Sequence, residues 1–256
     1  MPRQTDYRSI APTFDRRYEV HDYSGVEAAL GIFLASEVRV DVLDCGCGTA
    51  HWLNRLASPN RHLVGVDASA EMLIQAARDR QLDLVHAQAE YLPFAADSFD
   101  RIFCVNSLHH FASKPQFASE VRRVLRRRGG FTTIGLDPHT GLDEWWIYDY
   151  FENTLELDRQ RYLPAKTICE LLRTAGFVDC RTEIVQRFHV AASGRNTLDR
   201  GGLAKTATSQ LAIMTDDEYQ RGVQQIQADI ITAERRGQEL LLLSDLRLYA
   251  TTAWLR

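Results

Sequence analysis

The residues best placed to hold a charged, nucleoside-bearing ligand lie in the first third of the chain. Over residues 42–50, Val-Leu-Asp-Cys-Gly-Cys-Gly-Thr-Ala, an apolar run meets Asp44 and then passes through Gly46 and Gly48. A side chain at either glycine would obstruct a ligand lying against such a turn, so backbone can approach the ligand closely here. Asp67 closes the next apolar run, where a carboxylate can accept hydrogen bonds from both ribose hydroxyls of an adenosine. Alone, the glycines describe only a tight strand-to-helix connection, and Asp67 only a helix N-cap. Together they describe an adenosine pocket. An acid just before the glycines repels a pyrophosphate and suits a cationic ammonium. The dinucleotide fingerprint of a dehydrogenase also needs a third glycine where His51 stands.

Proton transfer could fall to His109, His110 or His139. His139 follows the fifth expected strand, at the edge where a second substrate would bind, although Asp137-Pro138-His139-Thr140-Gly141 also reads as a plain turn. Residues 143–151 mix acids with aromatics, and Trp145, Trp146 and Tyr148 would make walls for a flat or apolar molecule. The competing reading is an amphipathic helix docked through Ile147, Tyr150, Phe151 and Leu155. Arg161, with Arg159 and Tyr162, could meet an anion. The cations Arg122, Arg123, Arg126, Arg127 and Arg128 fit a solvated helix end better than a nucleic-acid surface.

Short β-branched runs alternate with helical periodicity through the first two-thirds, which calls for an α/β, doubly wound, mostly parallel sheet with helices on both faces. Strands are expected at 40–45, 63–67, 84–87, 100–105 and 130–136, with helices at 50–57, 69–80 and 114–126. A helix opening at Pro164 ends at Gly176, a long strand follows over 179–190, and a last strand over 246–255 pairs with it. That makes seven strands, the last antiparallel. Residues 137–165 form a helical substrate cover, and residues 191–243 a mostly helical insert whose part 208–239 closes over the site or forms a homodimer contact. Residues 193–202, with three glycines, read as a mobile loop.

The chain has 256 residues, 45% of them hydrophobic, and a formal charge of -4. That suits one domain with a full core and gives no global attraction to a polyanion. Cys45 and Cys47 are one residue apart and lack a second Cys/His pair at zinc spacing, so no metal is expected. Residues 1–10 are polar and charged, and no run reaches eighteen apolar residues, so a cytoplasmic protein is expected.

Asp44-Cys45-Gly46-Cys47-Gly48-Thr49, Val64-Gly65-Val66-Asp67-Ala68-Ser69, Ala89-Glu90-Tyr91-Leu92-Pro93-Phe94 and Ser98-Phe99-Asp100-Arg101-Ile102 resemble, in order and spacing, four successive motifs of class I S-adenosylmethionine-dependent methyltransferases. The resemblance spans about residues 41–135 and is nearest to the small-molecule branch that includes ubiquinone and menaquinone biosynthesis enzymes. It implies a Rossmann-like fold and S-adenosylmethionine as cofactor. Residue by residue it implies Asp44 near the methionine ammonium, Gly46 and Gly48 beneath the methionine, Asp67 on the ribose, and Ala68 and Met72 flanking the adenine. Ala89 and Glu90 would meet the adenine amino group, Asn106 would lie near the methionine end, and Phe14 and Tyr18 would form a lid. Ala50 stands where many members have a third glycine that serves helix packing, and Arg128 where many have proline. The acceptor implied is a small, partly apolar or aromatic molecule methylated at oxygen, nitrogen or carbon. A methyl-donor-binding or lyase-type protein without transfer is the alternative. Nucleic acid is disfavoured, because no Asn-Pro-Pro-Tyr or Asp-Pro-Pro-Tyr follows the fourth strand.

Overall fold

The computed structural model describes residues 11, 14–77 and 82–256. In chain order these residues form α1 (Arg16–Val20), α2 (Ser24–Phe33), β1 (Val40–Cys45), α3 (His51–Arg55), β2 (Arg61–Asp67), α4 (Ala70–Ala76), β3 (Asp83–His86), β4 (Phe99–Val105), α5 (Lys114–Val124) and β5 (Leu125–Gly135). There follow β6 (Glu144–Trp145), α6 (Trp146–Tyr150), α7 (Thr154–Arg161), α8 (Ala165–Thr174), β7 (Val178–Ser193), α9 (Gly194–Asp199), α10 (Ser209–Ala212), α11 (Asp216–Arg235) and β8 (Leu241–Trp254).

The sheet runs β3-β2-β1-β4-β5-β8-β6, with β7 also paired to β8. The five strands β1 to β5 pair in parallel, β8 is antiparallel to β5, and β7 and β6 are antiparallel to β8. The eighth strand, β6, is two residues long and was not expected. Strand order reverses between β1 and β4, which opens a crevice at their carboxyl ends. One core cluster, including Leu43, Ile102, Phe117 and Phe131, fills one face of the sheet. A second, including Leu30, Val42, Trp52 and Phe103, fills the other. Both faces being covered explains why β1 reads as a continuous apolar run broken only by its acids.

Several expectations change. Within 193–202, Gly194–Asp199 form the helix α9, because Ser193 Oγ accepts from Asn196 N and caps it, while Gly201 at φ 72° lets the chain turn after it. Helix α11 starts at Asp216 in a capping box made by Thr215 and Glu218, and β8 begins at Leu241, inside the expected insert. Of the expected helix 69–80, positions 78–80 lie outside the described residues. Of the arginine run only Arg122 and Arg123 end a helix, in the last turn of α5, while Arg126, Arg127 and Arg128 belong to β5. Arg123 pairs with Glu120 and Arg126 bridges Asp41 and Asp100. Across β4 the register jumps from Phe99–Leu125 to Arg101–Gly130, so residues 126–129 bulge outward. Cys169 and Cys180 are joined in a disulfide that ties α8 to β7. Among the described residues no helix is long and apolar enough to cross a membrane.

Ala50 has φ 62°, so the missing glycine concerns backbone conformation and not only helix packing. Its methyl is fully buried, and that burial offsets the strain. Exposed Arg128, at φ 61°, has no such compensation. Arg128→Gly is therefore expected to raise stability by about 0.5–1 kcal/mol, read as a higher urea midpoint at unchanged slope, and Arg128→Val to lower it.

Candidate functional site

At the carboxyl ends of β1, β2 and β4 lies a cavity of about 490 Å³. Its floor is the glycine turn. Gly46 N and Cys47 N both donate to Val66 O, at 2.7 and 3.0 Å, which binds the turn to β2. Gly46 has φ 73°, and a Cβ there would come within 2.6 Å of Ser107 Cβ. Gly48, at φ 55°, faces the Phe14 ring. Asp67 is held at both oxygens: Gly48 N donates to Oδ2 and Ser69 N to Oδ1, each at 2.8 Å. An ionised carboxylate has about four acceptor positions, so two remain for a ligand.

Gly46, Gly48, Asp67, Ala68, Met72, Ala89, Glu90, Asn106, Phe14 and Tyr18 all line this one cavity. Ser69 Oγ caps α4 and fixes Met72 against the pocket. Glu90 Oε1 accepts from Ser113 N. Asn106 sits at φ 51° with its amide bound to Ile134 O. Phe14 lies 3.7 Å beneath the Arg17 guanidinium, and Tyr18 stacks on His51 at 3.5 Å with Trp52 at its edge.

Asp44 is not on the cavity wall. It lies behind the turn, 1% exposed, and neither carboxyl oxygen has a hydrogen-bond partner. Burial, and then the nearby Asp67, push its carboxyl well above the ordinary range. On the wall itself, Trp52 Nε1 is likewise buried without a partner. An unpartnered acid and an unpartnered donor beside one cavity fit a ligand that carries both a cation and an acceptor group, as a methionine end does.

The residues expected at the reacting end divide. His110 lines the cavity, and burial, followed by Arg161, Lys114 and Arg17, lowers it to about 3, so its imidazole is neutral at neutral pH. His139 does not line the cavity: its Nε2 donates to Tyr162 O at 3.0 Å and its backbone N–H to Asp137 Oδ1. Trp145 and Trp146 pack against a third cluster built on Ile147, Phe151, Leu211 and Ile226. Tyr148 donates to Asp158 Oδ2, and Arg161 Nη2 pairs with Asp158 Oδ1 at 2.5 Å. None of these four is on the large cavity's wall. Buried Ile147 and the following Phe151 turn α6 into the insert, while Asp149 is exposed. Ile147, Tyr150 and Phe151 pack inward as a docking helix would have them, but the helix ends at Tyr150 and Leu155 belongs to α7.

Sequence reasoning missed Trp52, Arg17 and Ser107 on the cavity wall. Trp52 follows the glycine turn directly on α3, which was a usable signal; the other two had none. Also unexpected is a chamber of about 30 Å³ that shares Asn106 and Ser107 with the large cavity and is lined beyond them by His109, Tyr162 and Tyr249. Among the described residues no group of acids, histidines and cysteines could hold a metal ion.

Comparison with known proteins places these features. Residues 43–133 match the family described as a methyltransferase domain. The chain is 36% identical over 114 residues to the uncharacterized methyltransferase YcgJ of Bacillus subtilis, covering 41% of this chain and 45% of YcgJ. It is 34% identical over 113 residues to the malonyl-[acyl-carrier protein] O-methyltransferase of Legionella pneumophila, covering 41% of this chain and 40% of that protein. The matches thus span less than half the length of these relatives. The crystal structure of YcgJ superimposes with a TM-score of 0.63 at 19% identity, over 91% of this chain and 99% of that one. A methyltransferase structure from Anabaena variabilis gives 0.66 at 22% identity, over 88% and 96%. The fold is the Rossmann-like methyltransferase fold.

Asp44 gives a pH test. Folding raises its carboxyl above the unfolded value near 3.8, so the folded chain holds a proton that the unfolded chain releases. Its contribution to stability therefore falls as pH rises from about 4 toward the raised value. The difference in unfolding free energy, Asp44→Asn minus wild type, is expected to grow with pH between 4 and 8 in urea titrations; a flat difference would refute the assignment.

Proposed function

We propose that this chain, which carries a class I methyltransferase domain over residues 43–133, binds S-adenosylmethionine and passes its methyl group to a small, partly apolar or aromatic acceptor. The observation that carries the reading is Asp67, pinned by Gly48 N and Ser69 N on the rim of the glycine turn, with the unpartnered Asp44 carboxyl beneath it. Asp67 would take the ribose hydroxyls. Ala68 and Met72 would flank the adenine, Ala89 and Glu90 would meet its amino group, and Asn106 would face the methionine end. Asp44 and Trp52 would answer the ammonium and carboxylate. When bound, the cofactor supplies a methyl carbon made electrophilic by a positive sulfur.

What the protein adds is position and dryness. Tyr18 and Phe14, braced by His51 and Arg17, would close the cavity against water. With its conjugate acid near 3, His110 is a weak base, which supports catalysis by alignment over strong proton abstraction. The segments 137–165 and 191–243 share one apolar cluster, in which α11 packs on α6, and would serve together as the cover. The Legionella relative is named for O-methylation of a malonyl group on acyl-carrier protein, which supports an acyl acceptor over a nucleic acid.

Calorimetry is expected to show S-adenosylmethionine binding in the wild type and a loss of at least about tenfold in Asp67→Ala, since two charge-assisted hydrogen bonds go. Incubation of a cell extract with methyl-labelled donor should move label onto a small metabolite. Donor binding with no labelled product would support the binding or lyase-type alternative, and label chiefly on RNA or protein would overturn the acceptor class.

A further inference from the structure

The small chamber behind Asn106 holds two buried polar atoms with nothing to bind: His109 Nε2 and Tyr249 Oη. His109 is 8% exposed, on the one-turn helix Leu108–His110, and stacks its ring on Tyr162 at 4.0 Å. Tyr249 comes from β8, where it stands opposite Gly135 of β5. Gly135 has no side chain to fill the space between, and a Cβ there would meet only Asn106 Oδ1, at 3.7 Å. The missing side chain thus makes room, and Asn106 stands in the opening shared with the large cavity. Buried polar atoms left without partners cost stability unless something is bound to them. A space of 30 Å³ admits one small polar group.

The wall also says which kind. It contains no lysine or arginine; Arg161, off the wall, gives Nη2 to Asp158, while its Nε and Nη1 are buried without a hydrogen-bond partner. The one acid on the wall, Asp137, accepts from His139 N through Oδ1 and from Ala165 N through Oδ2. An anion would find no cation on the wall, and the Asp137 carboxylate, with one backbone N–H on each oxygen, keeps acceptor capacity, so the choice against an ammonium rests on the His109–Tyr249 pair. Burial drives His109 far below the usual imidazole range, so it presents a neutral ring. Leu108, Ile134, Leu136, Leu163 and Tyr162 make the wall apolar or aromatic, and Asn106, Ser107, Thr133 and Thr251 are its other polar residues.

We propose that this chamber receives the head group of the acceptor, and that the group is an uncharged hydroxyl, of an alcohol or a phenol, held between His109 Nε2 and Tyr249 Oη. The proposal rests on the methyl-donor reading, because Asn106 and Ser107 join the chamber to the cavity assigned to the donor. A hydroxyl can donate to one of these atoms and accept from the other at once, which an ether, a carboxylate or an ammonium cannot do. His109 and Tyr249 are then substrate-binding residues on two elements far apart in sequence, and Gly135 sets the depth of the site.

The test uses the full chain saturated with S-adenosylhomocysteine and four probes of like shape: phenol, anisole, benzoate and benzylammonium, titrated by calorimetry at pH 7. Phenol is expected to bind at least about fivefold more tightly than each of the others, the worth of one hydrogen bond. His109→Phe and Tyr249→Phe should each cost about fivefold in phenol affinity and leave S-adenosylhomocysteine binding within about twofold. A preference for benzoate or benzylammonium, phenol no tighter than anisole, or no probe bound at all would overturn the proposal. Should a variant fail to fold, the ranking of the four probes on the wild type decides. If the chain does not take up S-adenosylhomocysteine, the donor reading falls, and the same ranking on the unliganded chain still decides the chamber.

Discussion

The site depends on how the end of β2 grips the turn that leaves β1. Val66 O takes the N–H groups of Gly46 and Cys47, and Asp67 takes that of Gly48. Three consecutive amides are thereby spent on two residues of the neighbouring strand. A loop that would otherwise be free to breathe becomes part of the sheet, and the cavity above it inherits the rigidity of a parallel core. The cost is conformational: Gly46, Gly48 and Ala50 must all adopt positive φ within five residues. Glycine meets that demand at two of the three, and at the third a buried methyl compensates for the strain.

The same edge carries an electrostatic cost. Asp44 has no hydrogen-bond donor, no cation and no water-facing surface, and it stands near another acid. A folding core would be served better by a neutral residue at that position. Its presence is understandable only if the empty state is not the state for which the residue is selected. Unmet polar atoms recur along the carboxyl edge, at Trp52, His109 and Tyr249, and others lie off it, at Asn54 on α3 and Arg161 on α7.

The parallel half of the fold was legible because each strand there is a short β-branched run and each turn announces itself with glycine or an acid. Asp44, the two glycines and Asp67 could be read as a unit because they lie in consecutive elements with fixed spacing. The acceptor end was not legible for the opposite reason. His109 and Tyr249 meet only through the pairing of β8 with β5, and neither has a neighbour in sequence that hints at the other. Trp145, Trp146 and Tyr148 were ambiguous because aromatic residues beside an active edge and aromatic residues in a docking helix have the same composition. Only the tertiary contacts of Ile147 and Phe151 separate the two. For 193–202, glycine content outweighed the serine cap that makes the segment helical.

Both segments flanking the site are fastened to a single strand. β8 is paired with β6 at Ser244 and Asp245, and with β7 through to Ser193, where α9 begins. Residues 137–165 and 191–243, distant in sequence, therefore share a backbone anchor as well as a core. Neither can be exchanged, lengthened or redecorated without disturbing the other's footing. A substitution that loosens β8 would therefore be felt in both segments at once.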